Sequence, residues 1–293
     1  MTHLSYTVVM PARNEEDNLP RVAEWLFSQT SLPAAWIVVD NGSTDGTLEC
    51  ARRLARECAW VRVIASEGEP TPIRGGPVVR AFTAGLEAIG EPTDVVVKLD
   101  ADVSGEADYF ERLLDYFAHD PKLGIASGIC LERANGEWVE RHATVGHVRG
   151  ASRAYRWDCL QEVLPLEERM GWDGLDALKA TTRGWRTATV PVPFRHHRRV
   201  GDRDRDEWRR WLAAGEQAHY MNYRPSYLAL RALRWSLTDS GALAMLLGFG
   251  RARLRRSPRY SDDAVRTLVR DRQRMRNVPL RAAEALGRSA RRQ

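Results

Sequence analysis

The chain has 293 residues, 43% of them apolar, enough for one α/β domain with extensions and a sizeable core. Its net charge of +5 is unevenly divided: residues 195–293 hold 24 Arg, no Lys and 10 Asp plus Glu, a balance of +14 that leaves −9 on the first 194 residues. Cys50, Cys58, Cys130 and Cys159 make no Cys-x-x-Cys pair and no His/Cys metal spacing, and no zinc finger, RNA-binding signature or helix-turn-helix pattern accompanies the basic end, so zinc, disulfide and nucleic-acid scaffolds are excluded.

In chain order, Tyr6-Thr7-Val8-Val9-Met10 reads as a strand that runs into Pro11-Ala12-Arg13-Asn14-Glu15. It begins almost at Met1, which leaves no room for a secretory leader, and a cytoplasmic location is expected. Leu19, Val22, Trp25 and Leu26 share one face of a helix predicted over 15–29. A second Val-rich strand, Ala35-Trp36-Ile37-Val38-Val39, ends in Asp40-Asn41-Gly42-Ser43-Thr44-Asp45-Gly46, with Ser43 or Thr44 placed to cap a helix over 44–57. Val61-Arg62-Val63-Ile64 is a third strand. The loop 66–76 leads into a helix over 77–89, and backbone N–H groups at Gly75-Gly76, with Arg74 and Arg80 beside them, suit a nucleotide.

The most informative run is Val95-Val96-Val97-Lys98-Leu99-Asp100-Ala101-Asp102, a buried-strand pattern that stops at two carboxylates one residue apart. Open α/β sheets bind ligands in the crevice at the carboxyl ends of their strands, where Asp100 and Asp102 can both reach one hard cation. The segments at Tyr6, Ala35 and Val95 thus repeat strand, polar or acidic tip, helix.

Pro11-Ala12-Arg13-Asn14-Glu15, Val39-Asp40-Asn41-Gly42-Ser43-Thr44-Asp45 and Leu99-Asp100-Ala101-Asp102, in that order, resemble the nucleotide-sugar half of family 2 glycosyltransferases. The resemblance implies a GT-A α/β fold, a mainly parallel twisted sheet flanked by helices, over 1–220, with 1–103 binding the nucleotide sugar and 104–220 the acceptor. It also implies transfer of a sugar from a nucleotide-diphosphate donor to an acceptor hydroxyl, with inversion and with Mg2+ or Mn2+. Pro11, Ala12, Arg13, Glu15 and Asp40 would bind base and ribose; Asp100, Ala101 and Asp102 would serve ribose, diphosphate and metal.

The acceptor half must supply a base. Met170-Gly171-Trp172-Asp173-Gly174-Leu175-Asp176, ahead of Gly184 and a short strand over 187–190, resembles the family's Glu-Asp motif. Counting back from Gly184 selects Asp173, whereas the Gly-x-Asp form, with Gly174 allowing close substrate approach, selects Asp176. Phe194-Arg195-His196-His197-Arg198 follows the strand; His196 or His197 is placed to complete a cation site, and Arg195 or Arg198 to hold phosphate oxygens.

Residues 221–293 read as a basic helical extension. The segment from Tyr223 to Trp235 and the apolar run Gly241–Gly250 suit helices lying in the interface of an anionic membrane, and are far below the roughly 20 residues of a spanning helix. Packing against the catalytic domain or in a homodimer is the alternative. Among other functions, a nucleotidyltransferase would carry an early Gly-rich loop with Arg and Lys, which 11–15 lacks. A non-catalytic nucleotide-sugar-binding protein would lack the base or the metal acids, and a Rossmann dehydrogenase would show Gly-x-Gly-x-x-Gly after the first strand.

Overall fold

The computed structural model describes residues 4–66, 75–134, 136–140, 148–198, 207–274 and 277. They fall into two compact units, Met1–Arg199 and Val200–Gln293. The first unit runs β1 (Tyr6–Ala12), α1 (Leu19–Phe27), β2 (Ala35–Asn41), α2 (Thr47–Glu57), β3 (Val61–Ser66), α3 (Gly76–Glu87), β4 (Val95–Leu99), β5 (Val103–Gly105), α4 (Tyr109–His119), β6 (Leu123–Ala134), β7 (Glu137–Glu140), β8 (Ser152–Arg156), α5 (Trp157–Val163), α6 (Trp172–Thr182) and β9 (Arg186–His196).

The strands form one sheet in the order β3-β2-β1-β4-β8-β6-β9-β5, with β7 added on β6. β1 to β4 pair in parallel, as their Val-rich, doubly buried composition predicts. Val8, Met10, Trp36, Val38, Val95 and Val97 pack on one face with the apolar sides of α1, α2 and α4. Their neighbours Val9, Ile37, Val39 and Val96 pack on the other with α3 and α5. This period of two on both faces puts helices on each side of the sheet and leaves the strand ends as its polar edge. β8 runs antiparallel to β4 and to β6, so the sheet is mixed beyond β4. β5 pairs with the end of β9, with Val103 opposite His196, and this register brings His196 beside the acids that follow β4.

Two helix starts differ from the sequence expectation. α1 begins at Leu19 because Glu15 to Asn18 form a turn in which Glu15 O accepts from Asn18 N and Leu19 N. α2 begins at Thr47, with Gly46 at its N-cap, because Ser43 and Thr44 are engaged by Asn14 instead of capping the helix. The strand expected over 187–190 is the interior of the eleven-residue β9.

The second unit holds α7 (Glu207–Tyr220), α8 (Pro225–Ser236), a 3-10 turn (Ser240–Leu243), α9 (Ala244–Leu254) and α10 (Asp263–Arg272). The expected division near residue 220 falls inside this unit. α7 belongs with the C-terminal helices because it packs backbone to backbone on α9: a Cβ at Gly215 would lie 2.0 Å from Met245 O, and one at Gly248 2.1 Å from Leu212 O. Among the described residues no helix is long and apolar enough to cross a membrane.

Candidate active site

The tips of β1 and β2 clamp each other. Asn14 N donates to Ser43 Oγ at 3.0 Å, Thr44 N to Asn14 Oδ1 at 2.8 Å, and Glu15 N to Thr47 Oγ1 at 2.7 Å. Asn14 holds a left-handed conformation at φ 55, which its side chain tolerates through such local bonds. The clamp fixes Pro11, half-buried, and Ala12, buried, beside Asp40, while Arg13 stays exposed. Asp40 is buried; its Oδ2 accepts from Ser43 N at 3.2 Å, and its Oδ1 has no hydrogen-bond partner among the described residues. A buried acceptor without a donor is costly, so the position suits a ligand N–H or O–H.

Asp100, Asp102 and His196 converge after β4: one ligand atom from each lies within 4.8 Å of the others. Two carboxylates and an imidazole suit Mg2+ or Mn2+, and Ala101 between them is buried. Asp102 Oδ1 lies 3.2 Å from His196 Nε2 and Asp102 Oδ2 lies 3.6 Å from Arg198 Nε. Burial raises the Asp102 pKa, but the hydrogen bond and charge of His196 and the charge of Arg198 outweigh it and hold the carboxyl below its usual value. Asp100 goes the other way: burial and the Asp102 charge raise it against the pull of Lys98. For His196, burial is outweighed by the Asp102 bond and the imidazole is pushed up to about 10. His197 turns elsewhere, with Nε2 2.7 Å from Ser104 Oγ and its ring edge-on to Trp138, so one of the two expected histidines joins the acids. A second grouping joins His196 to Cys130 and Glu132 of β6, the strand paired with β9.

Two basic residues tie this cluster to the rest of the crevice. Arg198 donates to both oxygens of the buried Glu15, at 3.0 and 2.7 Å, so Glu15 meets the acid pair through Arg198. Lys98, 2% exposed on the central strand β4, donates to Asp100 Oδ1 and, at 2.9 Å, to Gly150 O, and its Nζ sits 5.7 Å over the Trp172 ring. A buried lysine requires such partners. Neither link is evident from the sequence; a lysine amid a Val run is the available signal for Lys98, whereas Glu15 and Arg198 are 183 residues apart.

The two acids of α6 have different surroundings. Asp176 is 1% exposed: Oδ1 is 2.5 Å from Arg153 Nη2, and Oδ2 accepts from Arg153 Nε at 3.0 Å and from Tyr155 O–H at 2.5 Å. Burial pushes its carboxyl up to about 6, with Arg153 and Tyr155 pulling against it. Both oxygens are thereby committed inside the core, and the choice of Asp176 as the base has no geometric support. Asp173 lies in the first turn of the same helix, half-buried, after Gly171 at φ 79. Its carboxylate has no hydrogen bond or ion pair among the described residues, and a Cβ at Gly150 would lie 3.4 Å from its Oδ2. Lys98 links Gly150 O to Asp100, and Asp173 lies beside the same Gly150.

Gly75, at φ 83, starts α3 so close to the 169–170 backbone that a Cβ would be 2.5 Å from Arg169 O. Arg80 donates to Glu168 Oε2 at 2.8 Å. Arg74 lies outside the described residues.

The family model of glycosyl transferase family 2 matches residues 7–166. The succinoglycan biosynthesis protein ExoA of Rhizobium meliloti (strain 1021) is 35% identical over 116 residues, 39% of this chain and 33% of that protein. The match thus spans about a third of ExoA. An uncharacterized glycosyltransferase of Mycobacterium tuberculosis, Rv0539, is 29% identical over 203 residues, 64% of this chain and 84% of the relative. Among solved structures, the mannosyltransferase PcManGT from Pyrobaculum calidifontis, in complex with GDP-Man and Mn2+, shares the fold with a TM-score of 0.57 at 16% identity, covering 100% of this chain and 89% of that one. S. aureus TarS 1-349 gives 0.52 at 17% identity, over 66% and 60%. With three strand-tip motifs converging on one crevice and a family match over more than half its length, the chain belongs to glycosyl transferase family 2.

Proposed function

We propose that the chain moves a hexosyl unit from a nucleotide-diphosphate sugar to an acceptor hydroxyl, with inversion and with a divalent cation, in a cytoplasmic setting that keeps its four free cysteines reduced. The observation that carries this reading is an acidic cation cluster that Lys98 ties to Gly150, beside which lies a second carboxylate with no hydrogen bond or ion pair among the described residues. PcManGT with GDP-Man and Mn2+, and TarS with UDP-GlcNAc, lend support from the same fold.

Asp40 Oδ1 accepts from the base or ribose, flanked by Pro11, Ala12 and Arg13. Asp100, Asp102 and His196 would hold Mg2+ or Mn2+, which supplies positive charge against the leaving diphosphate. Glu15 holds Arg198 beside Asp102, where its guanidinium meets phosphate oxygens. Asp173 takes the acceptor hydroxyl proton as that oxygen bonds the anomeric carbon; the bond from that carbon to the diphosphate oxygen breaks on the opposite face, and its electron pair leaves with the nucleotide.

The test is incubation with UDP-, GDP- and dTDP-sugars, Mn2+ and a panel of hydroxyl acceptors including cell-envelope glycans and glycolipids. Release of nucleoside diphosphate from at least one donor, stopped by chelator, is expected. Release of pyrophosphate from a nucleoside triphosphate and a sugar phosphate would overturn the reading in favour of nucleotidyl transfer.

A further inference from the structure

The second unit carries more apolar surface than its own core uses. Among the described residues, nine of the thirteen large apolar side chains that are exposed lie between Trp208 and Leu254. On α8, Leu228 and Ala232 face the buried cluster with Met245 and Phe249 of α9. Leu230, Leu233 and Leu237 follow the opposite helical stripe, the last two 60% and 82% exposed. α9 repeats the arrangement: Met245, Phe249 and Ala252 are buried, whereas Leu243, Leu247 and Leu254 form an outward stripe, at 46%, 57% and 86% exposure. Two helices that pack on each other thus each keep an unpartnered leucine row, far more than the singly scattered apolar residues of an ordinary soluble surface.

The charge along these rows is almost wholly positive. Residues 223–260 contain eight arginines and a single acid, Asp239. That acid is already committed: Asp239 Oδ2 accepts from Trp211 Nε1 at 2.6 Å and lies 3.4 Å from Arg210, and its Oδ1 accepts from Gly241 N at 2.9 Å. Arg234 stands exposed beside Leu233, and Arg251, Arg253, Arg255 and Arg256 crowd exposed around Leu254 at the end of α9. Trp235, 45% exposed, adds an aromatic ring of the kind that settles at headgroup level. Leucines rimmed by arginines, on helices of 12 and 11 residues, match a surface that is apolar just below a layer of negative charge, and the helices are too short to cross it.

We infer that α8 and α9 dock the protein on the surface of an anionic phospholipid bilayer, with the leucine rows inserted at the headgroup boundary and the arginines on the phosphates. This surface brings a membrane-borne acceptor within range of the chain, but the docking does not depend on glycosyl transfer.

The test is co-sedimentation of the full chain with vesicles of phosphatidylcholine alone or mixed with phosphatidylglycerol, alongside sedimentation velocity without lipid. Binding to the anionic vesicles alone, weakening with added salt, is expected. The combined Leu233→Gln, Leu237→Gln, Leu247→Gln and Leu254→Gln variant, at sites more than half exposed, keeps its circular dichroism and loses at least about tenfold in partitioning. Replacing Arg251, Arg253 and Arg255 by Gln removes the anionic preference with the leucines intact. Equal recovery in the supernatant with both vesicle types overturns the proposal. So does a dimer without lipid that the leucine variant converts to monomer while vesicle recovery stays unchanged, which would make the rows an interface between copies.

Discussion

The first and second turns of α6 carry the same side chain three residues apart and put it to opposite uses. Asp176 points into the core, where Arg153 and Tyr155 take both its oxygens, whereas the Asp173 carboxylate, half-buried beside Gly150, has no hydrogen bond or ion pair among the described residues, and only its backbone carbonyl accepts from Arg153. The difference is one of burial along the helix: residues three apart share a side, yet Asp173 in the first turn is half-buried and Asp176 in the second is 1% exposed. The lesson is that a carboxylate's chemistry follows from its partners. A fully engaged acid holds structure, and an acid left open by the fold is the one that can take a proton.

This contrast can be broken most forcefully at Asp176. Asp176→Asn leaves the Arg153 guanidinium buried and uncompensated, and the expected loss of stability is about 3–5 kcal/mol in denaturant unfolding. Unchanged stability would mean that the pair is not buried as described. At the cation cluster, Asp102→Ala removes a ligand charge, and calorimetric affinity for a nucleoside diphosphate with Mn2+ should fall by more than about 100-fold and cease to respond to chelator. A smaller effect is expected one layer out: Lys98→Met removes the donor that orients Asp100, with a loss of roughly 10–100-fold in Mn2+-dependent donor affinity. The smallest belongs to Arg80→Ala, whose partner Glu168 is half-exposed, at under about 1 kcal/mol of stability. If donor binding falls sharply in that variant, Arg80 leaves Glu168 for the nucleotide.

Much of the fold is legible in the sequence because burial writes itself into composition. The Val-rich runs before Asp40 and Asp100 are strands buried on both faces, and their tips form one edge. The acids are legible for the same reason, since a carboxylate directly after such a run has nowhere to go except the crevice. What escapes is pairing between distant positions. Nothing local in Ser152–Arg156 tells that Arg153 is fully buried against Asp176, and nothing in Glu15 announces Arg198. The choice between Asp173 and Asp176 turns on the first of these, because only the location of Arg153 shows which acid is already spoken for. The helix start at Thr47 escapes for a related reason: Asn14 reaches across to Ser43 and Thr44 and removes them from capping.

The central claim is that Asp173 performs the proton transfer without holding the donor. Asp173→Asn, assayed for donor affinity by calorimetry and for sugar transfer by nucleotide release, tests it most directly. Donor affinity and stability should match the parent, while the transfer rate falls by roughly 10²–10⁴-fold. Transfer within a few-fold of the parent in a normally folded variant would contradict the account, as would a loss of donor affinity that explains the whole drop in rate.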